Sequence, residues 1–369
     1  MRIRKASAGL VIGALLLSGC AGGPSDNGGG DPDGDVDGPV AGSPEQVIAD
    51  GLMDEEAVLA QPATITIATA APTAFTIPLY MAESGYESFA RRNLTVEIVN
   101  MPGVDSYPLM ATGQLDGNYS APDVGMFNSI HSGSDLAVVA PTQIQAEDAV
   151  DGLYCRVEQM GGEDFSWEML RGQKIGSSQS NRGVSMIQIV ENLVAAGVPV
   201  DEVEVVQMST ADQVAALENG ALFCGLIQEP ITAVVEAAGH ATFSARQMEI
   251  GFPNGSVAFG MSILRDRPEV GYAFVAALAE LYRDELQGEW LRGNEAFFAD
   301  LLGQPQGSLE EMTTPTYTLP LALPDGYAAT FDRTWRHWDD LLQYDTPLAE
   351  SDVIDERFMV FANELIARG

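Results

Sequence analysis

Positive charge is what this chain has least of. Its 369 residues carry 18 Lys and Arg against 53 Asp and Glu, a formal net charge of −35, and beyond Lys5 the sole lysine is Lys174. A polyanion is held through a basic footprint, so nucleic acid is excluded as a partner. Self-repulsion of this size weakens a fold unless salt screens it; a saline habitat and a merely acidic surface both fit. Histidine and cysteine are scarce too, with three of each. His131, His240 and His337 lie far apart and no HExxH or CxxC spacing occurs, so no metal site is indicated. A Walker loop, GxGxxG, a GxSxG elbow and SxxK are all missing, which removes the usual signs of a cofactor or a serine nucleophile. No stretch supplies the ~20 consecutive apolar residues of a spanning helix.

What is there begins with MRIRKASAGLVIGALLLSGC. Three positive charges, a short apolar run from Gly9 to Leu17 and small residues before Cys20 make residues 1–20 a bacterial export signal. Leu17-Ser18-Gly19-Cys20 is similar to the lipobox of bacterial lipoproteins, which implies that Cys20 becomes the lipidated first residue. An ordinary secretory signal is the other reading, and both place the protein outside the cytoplasm. Residues 21–60 are expected to be an acidic, Gly-rich stalk with a short helix. GGPSDNGGGDPDGDVDGPVAG has almost nothing to bury, and about 40 residues of such coil span roughly 35 Å. Ser43, Pro44 and Gln46 predict a helix start with a capping box, continuing to Ala60. Cys155 and Cys224, left in an oxidising compartment, fit either a disulfide or two separate buried thiols.

The body alternates strand and helix. Strands are expected at 65–69, 95–99, 117–121 and 136–140, with helices at 79–92, 101–113 and 124–132. A second unit repeats the pattern with strands at 153–157, 174–178, 203–207 and 224–228 and helices at 183–196 and 211–219. A crossing strand at 257–264 and helices beyond Pro268 complete the chain. The alternation predicts an α/β protein of two doubly wound, mostly parallel lobes joined by a hinge, with a helical C-terminal segment. About 300 ordered residues exceed one core. Residues 61–148 and 256–369 are assigned to the first lobe, 149–255 to the second.

In such sheets ligands collect at the carboxyl ends of strands. Four loops stand there: 70–75, 119–123, 176–183 and 228–230. A helix starting near Asn181 to Gly183 would aim unpaired N–H groups and its positive dipole end at the cleft. Arg182 then offers a planar fork to an anion; a solvent-facing Arg182 beside an N-cap Ser180 or Asn181 fits equally well.

ITIATAAPTAFTIPLYMAESGYESFARRNLTVEIVNMPG, LMATGQLDGNYSAPDVGMFNSIHSGSDLAVVAP, Lys174-Ile-Gly-Ser-Ser178 and VEVVQMSTADQVAALENGALFCGLIQEP together resemble the extracytoplasmic solute-binding proteins of ABC importers, in the nitrate/sulfonate/taurine and thiamine-precursor group. The resemblance covers about residues 63–265. It implies a periplasmic-binding-protein-like fold of type II, a small-molecule solute, no cofactor, delivery to a membrane permease with its ATPase, and a monomer. By position, the ligand contacts would fall on Thr73, Phe75, Ser120, Pro122, Ser178, Gln179, Ser180, Asn181, Arg182, Gln228 and Glu229. Gln228 departs from the aromatic that many relatives carry, and Leu153-Tyr154-Cys155-Arg156 departs from their aliphatic run. A sulfonate- or nitrate-like anion is favoured by Arg182; a pyrimidine or vitamin ring stacking on Phe75 or Tyr119 is the alternative, with Tyr80 assigned to the core. An enzyme on the same scaffold, using Ser178 or His131, and a sensor module are the competing classes.

Overall fold

The computed structural model describes residues 42–70, 72–310 and 312–368. The signal, Cys20 and the stalk to residue 41 lie outside the described residues.

Ten strands sort into two five-stranded sheets. The first contains β1 (Ala63–Thr69), β2 (Leu94–Asn100), β3 (Gly117–Ser120), β4 (Ala137–Pro141) and β10 (Ser256–Phe259), in the order β2-β1-β3-β10-β4. β1 runs parallel to β2, from Ala63 opposite Leu94 to Thr69 opposite Asn100, and parallel to β3; β10 returns antiparallel between β3 and β4. The second sheet contains β5 (Gly152–Arg156), β6 (Lys174–Ser177), β7 (Glu204–Gln207), β8 (Cys224–Ile227) and β9 (Ala241–Arg246), ordered β7-β6-β8-β5-β9. β6 lies parallel to β7 and β8, whereas β5 is antiparallel to both its neighbours. The fold is thus two α/β lobes with a helical C-terminal segment.

The continuous apolar centres of β1 and β4 are buried on both faces, as strands covered by helices on both sides must be; Ile65, Ile67, Val138 and Val139 are all 0% exposed. The helix Pro268–Asp284 packs across the first sheet, and its YAFVAALAELY run is buried throughout. The helix Arg357–Arg368 lies against it with Phe358 and Phe361 on Tyr272. In the second lobe, Cys155 on β5 stands directly opposite Cys224 on β8, and a disulfide joins them.

Each sheet holds two parallel and two antiparallel pairings instead of being mostly parallel, and other expectations change as well. The helix foreseen over 79–92 is two helices, Ile77–Glu83 and Glu87–Ala90, because Gly85 turns the chain at φ +81, a conformation glycine adopts without steric cost. The helix from Pro44 ends at Ala49; Ser43 caps it, but Gln46 donates to Asp50 instead of closing a capping box. Residues 43–60 also do not belong with a stalk: Val47, Met53, Ala57 and Leu59 are buried in the first lobe's core.

Two segments cross between the lobes and are hydrogen-bonded to each other. Asn254 N donates to Gln143 O (2.8 Å), Gln145 N to Phe252 O (2.9 Å) and Gly251 N to Gln145 O (2.9 Å). Arg246 fastens the outgoing loop by donating to the carbonyls of Ala146, Glu147 and Ala149. No helix among the described residues is long and apolar enough to cross a membrane.

Candidate functional site

Parallel strands end on one side of their sheet, and here those sides face each other. β1 ends at Thr69, β3 at Ser120, β6 at Ser177 and β8 at Ile227. Between these tips lies a cavity of about 330 Å³, lined from both lobes and both crossing segments. Its size falls within the range of small-molecule sites.

Six of the residues expected at the site line it: Thr73, Phe75, Ser120, Gln179, Gln228 and Glu229. Thr73 opens a helical turn, its N–H bonded to Thr76 Oγ1 at 3.0 Å. Phe75 presents its ring beside Tyr119, edge to face at 5.1 Å. Tyr119 also lines the cavity while Tyr80 does not; the Tyr80 hydroxyl reaches Asn100 on the outer strand.

Five do not line it: Pro122, Ser178, Ser180, Asn181 and Arg182. Pro122 is buried as the chain turns away so that Asp123 can cap the helix Val124–His131, accepting from Gly125 N at 2.6 Å. The serine-rich turn satisfies itself. Ser177 Oγ donates to Ser180 O, Gln179 N donates to Ser177 Oγ, and Ser180 Oγ donates to Asn181 Oδ1. A short 3₁₀ turn occupies Ser180–Arg182, and the helix begins only at Met186, with Ser185 as its N-cap. Val184 and Ser185, rather than Asn181, therefore reach the cavity. Arg182 is exposed, and its charge acts on Asp123: burial raises the Asp123 carboxyl, while the N–H groups of Gly125 and Met126 and the Arg182 guanidinium oppose that rise.

Several cavity residues escaped the sequence. Gln143, Asp151, Gln247 and Asn254 come from the crossing segments, and Met312 to Pro315 from the C-terminal segment. Glu229, on the second lobe, accepts from Thr313 N (3.1 Å) and Thr313 Oγ1 (3.1 Å) on the far side of the cleft. A second link joins the C-terminal segment to the second lobe where Arg333 meets Glu191 at 2.8 Å. Asp151 Oδ1 accepts from Glu229 N at 2.7 Å. Burial, with a smaller contribution from the charge of Glu229, pushes Asp151 up to about 6. Burial likewise raises Glu229, with Asp148 adding to it, while the Thr313 donors and Arg292 oppose it.

Among the described residues, none that line the cavity is Lys, Arg or His. Ser178 is exposed outside it, and His131 stacks on Tyr344 at 4.7 Å, so the serine and histidine considered for catalysis are not brought together there.

No family profile and no curated protein matches this chain. Solved structures do. The fold is similar to that of the alkanesulfonate-binding protein SsuA from Xanthomonas axonopodis pv. citri bound to MOPS, at 16% identity and TM-score 0.56 over 80% of this chain and 99% of that one. It is similar to the periplasmic nitrate-binding protein NrtA from Synechocystis PCC 6803, at 12% identity and TM-score 0.57 over 83% and 87%. The desulfurization enzyme DSZB also shares it, at 15% identity and TM-score 0.52 over 83% and 99%. At these identities the likeness establishes a common fold, one that serves both binding and catalysis.

Proposed function

We propose that this chain is the solute receptor of an ABC-type importer, anchored outside the cytoplasm through a lipidated Cys20 and acting as a monomer. It captures a small organic solute between its lobes, residues 61–148 with 256–369 and residues 149–255, and delivers it to a permease driven by an ATPase. The observation that carries this reading is the cavity shared by the carboxyl tips of two sheets, with polar groups converging from both lobes. Two crossing segments are the only sequence-continuous links between those sheets among the described residues, an arrangement suited to hinged closure. Neighbours named for sulfonate and nitrate binding share the fold.

An anion held by Arg182 loses its main support, because that side chain lies outside the cavity. Catalysis on this scaffold needs a nucleophile and base within hydrogen-bond reach, and the cavity supplies hydroxyls without a histidine beside them.

A thermal-melt screen tests the receptor reading. A ligand that binds the folded state alone stabilises it by RT ln(1 + [L]/Kd), about 2.7 kcal/mol at a hundredfold excess over Kd. The expected result is a saturable rise in melting temperature with one class of solute from a panel of sulfonates, nitrate, pyrimidines, vitamins, amino acids and amines. No rise with any class would contradict the proposal.

A further inference from the structure

We propose that the solute is a small organic cation, an amine, amidine or guanidine of net positive charge, whose charged nitrogen sits against Asp151 and Glu229. This rests on the receptor reading and adds the chemical class of ligand.

The cavity lining contains two carboxylic acids, Asp151 and Glu229, and no Lys, Arg or His. Asp151 Oδ1 takes a single hydrogen bond, from Glu229 N, which leaves its other oxygen for a ligand. Glu229 faces the Thr313 donors, Asp148 and Arg292. Arg292, the basic member of that group, is directed elsewhere, donating to the carbonyls of Glu310 and Met312. Burial raises both acids, and a cation seated between them would favour their charged forms.

Magnitudes separate the two charge signs. In a partly buried site a carboxylate repels an anion and attracts a cation more strongly than it would in water. The helical starts at Thr73 and Ser185 offer an anion only partial charges of about half a unit, against the full charge of a carboxylate. The whole-chain charge of −35 acts in the same sense as the carboxylates, drawing cations toward the cleft.

A second, independent feature indicates a hydrogen-bonding occupant. Gln247 is 3% exposed and lines the cavity. Gln143 Oε1 and Asn254 Oδ1, also on the lining, are buried acceptors without a donor. Leaving such groups unpaired is unfavourable, and a nitrogen base carrying several N–H groups supplies what they lack. The space favours an organic ion over a bare metal: 330 Å³ walled partly by Phe75, Ile144, Met248 and Met312 has far more room and apolar surface than a metal ion needs. Among the described residues no group of three metal-ligating side chains occurs.

Calorimetric titration of the mature chain at pH 7.5 and low salt, with agmatine and putrescine as cations, taurine as zwitterion, and ethanesulfonate and nitrate as anions, tests the inference. The expected result is saturable binding of a cation, weakened about 10- to 100-fold by Asp151→Asn, and no binding of the anions. Asp151→Asn keeps an oxygen to accept from Glu229 N; Glu229→Gln gives a second readout of the same sign should the first variant fold poorly. Binding of ethanesulfonate, nitrate or taurine with no cation bound overturns the inference while leaving the receptor reading intact. Cation binding indifferent to both substitutions also overturns it. If none of these solutes binds, the inference is overturned, and if the wider thermal-melt panel also gives no rise, the receptor reading falls as well.

Discussion

The two lobes share a plan and are held together differently. Of the twelve largest fully buried side chains, Tyr154 alone belongs to the second lobe; the rest, from Trp335 to Phe274, fill the first. The first lobe draws on its C-terminal helices to cover both sides of its sheet, so burial of large apolar surface stabilises it. The second lobe has a smaller core, centred on Leu153, Ile175, Ile189, Leu193 and Leu226, and adds a covalent link between adjacent strands. Small units that bury less surface commonly compensate in this way outside the cell. For the proposed receptor, this contrast would let a well-packed platform and a cross-linked smaller lobe move as units about the crossing segments.

Substitutions can break this contrast. The largest effect is expected from Phe274→Ala in the first lobe, where the ring is 0% exposed and packs edge to face on Phe89 and Phe259. A cavity there costs about 3–5 kcal/mol, read by denaturant unfolding followed through Trp290 and Trp335. Replacing Cys155 and Cys224 together by Ser frees a 69-residue separation in the unfolded chain, a loss of about 4 kcal/mol on the chain-entropy account. The variant should lose Trp167 signal at lower denaturant than the first lobe's tryptophans; coincident shifts of all signals would show that the lobes unfold as one.

Next in size is Asp151→Asn. A carboxyl raised from 3.8 to about 6 binds its proton more tightly in the folded state. Its stabilising contribution is therefore complete below pH ~4 and lost as the pH rises past ~6. At pH 7 the unliganded protein then forgoes about 3 kcal/mol, which the neutral variant recovers. Melting temperatures from pH 4 to 8 should fall less steeply for the variant, and parallel profiles would contradict the assignment. The smallest effect is expected at Gly255. An added Cβ would sit 2.7 Å from Phe75 Cζ and 3.1 Å from Ser120 O, so Gly255→Ala should push the Phe75 ring within the cavity. Weaker solute binding with a melting temperature within a few degrees of wild type is the expected outcome.

The scaffold was legible because apolar alternation is local: ITIAT, VEVVQ and CGLIQ each announce a strand and its end. The edge strand Ala241–Arg246 was missed, since ATFSAR leaves most of its residues partly exposed and carries little apolar signal. The site was half legible. Strand-end loops point to the cleft by topology, which brought Thr73, Ser120 and Gln228 into view. Ser180, Asn181 and Arg182 misled because short polar side chains before a helix look the same whether they face a ligand or close a turn on themselves. Asp151, Gln247 and Thr313 were invisible for a different reason: they meet only when two crossing segments and a return from the C-terminal segment are assembled, and no local pattern encodes that meeting.

The most direct measurement is a crystal structure of the mature protein grown with the tightest-binding cation of the titration panel. The expected result is that the molecule lies between the lobes with its nitrogen in hydrogen-bond range of Asp151 and Glu229. A ligand on the outer surface of either lobe, or one whose charged nitrogen points away from both acids, would contradict it.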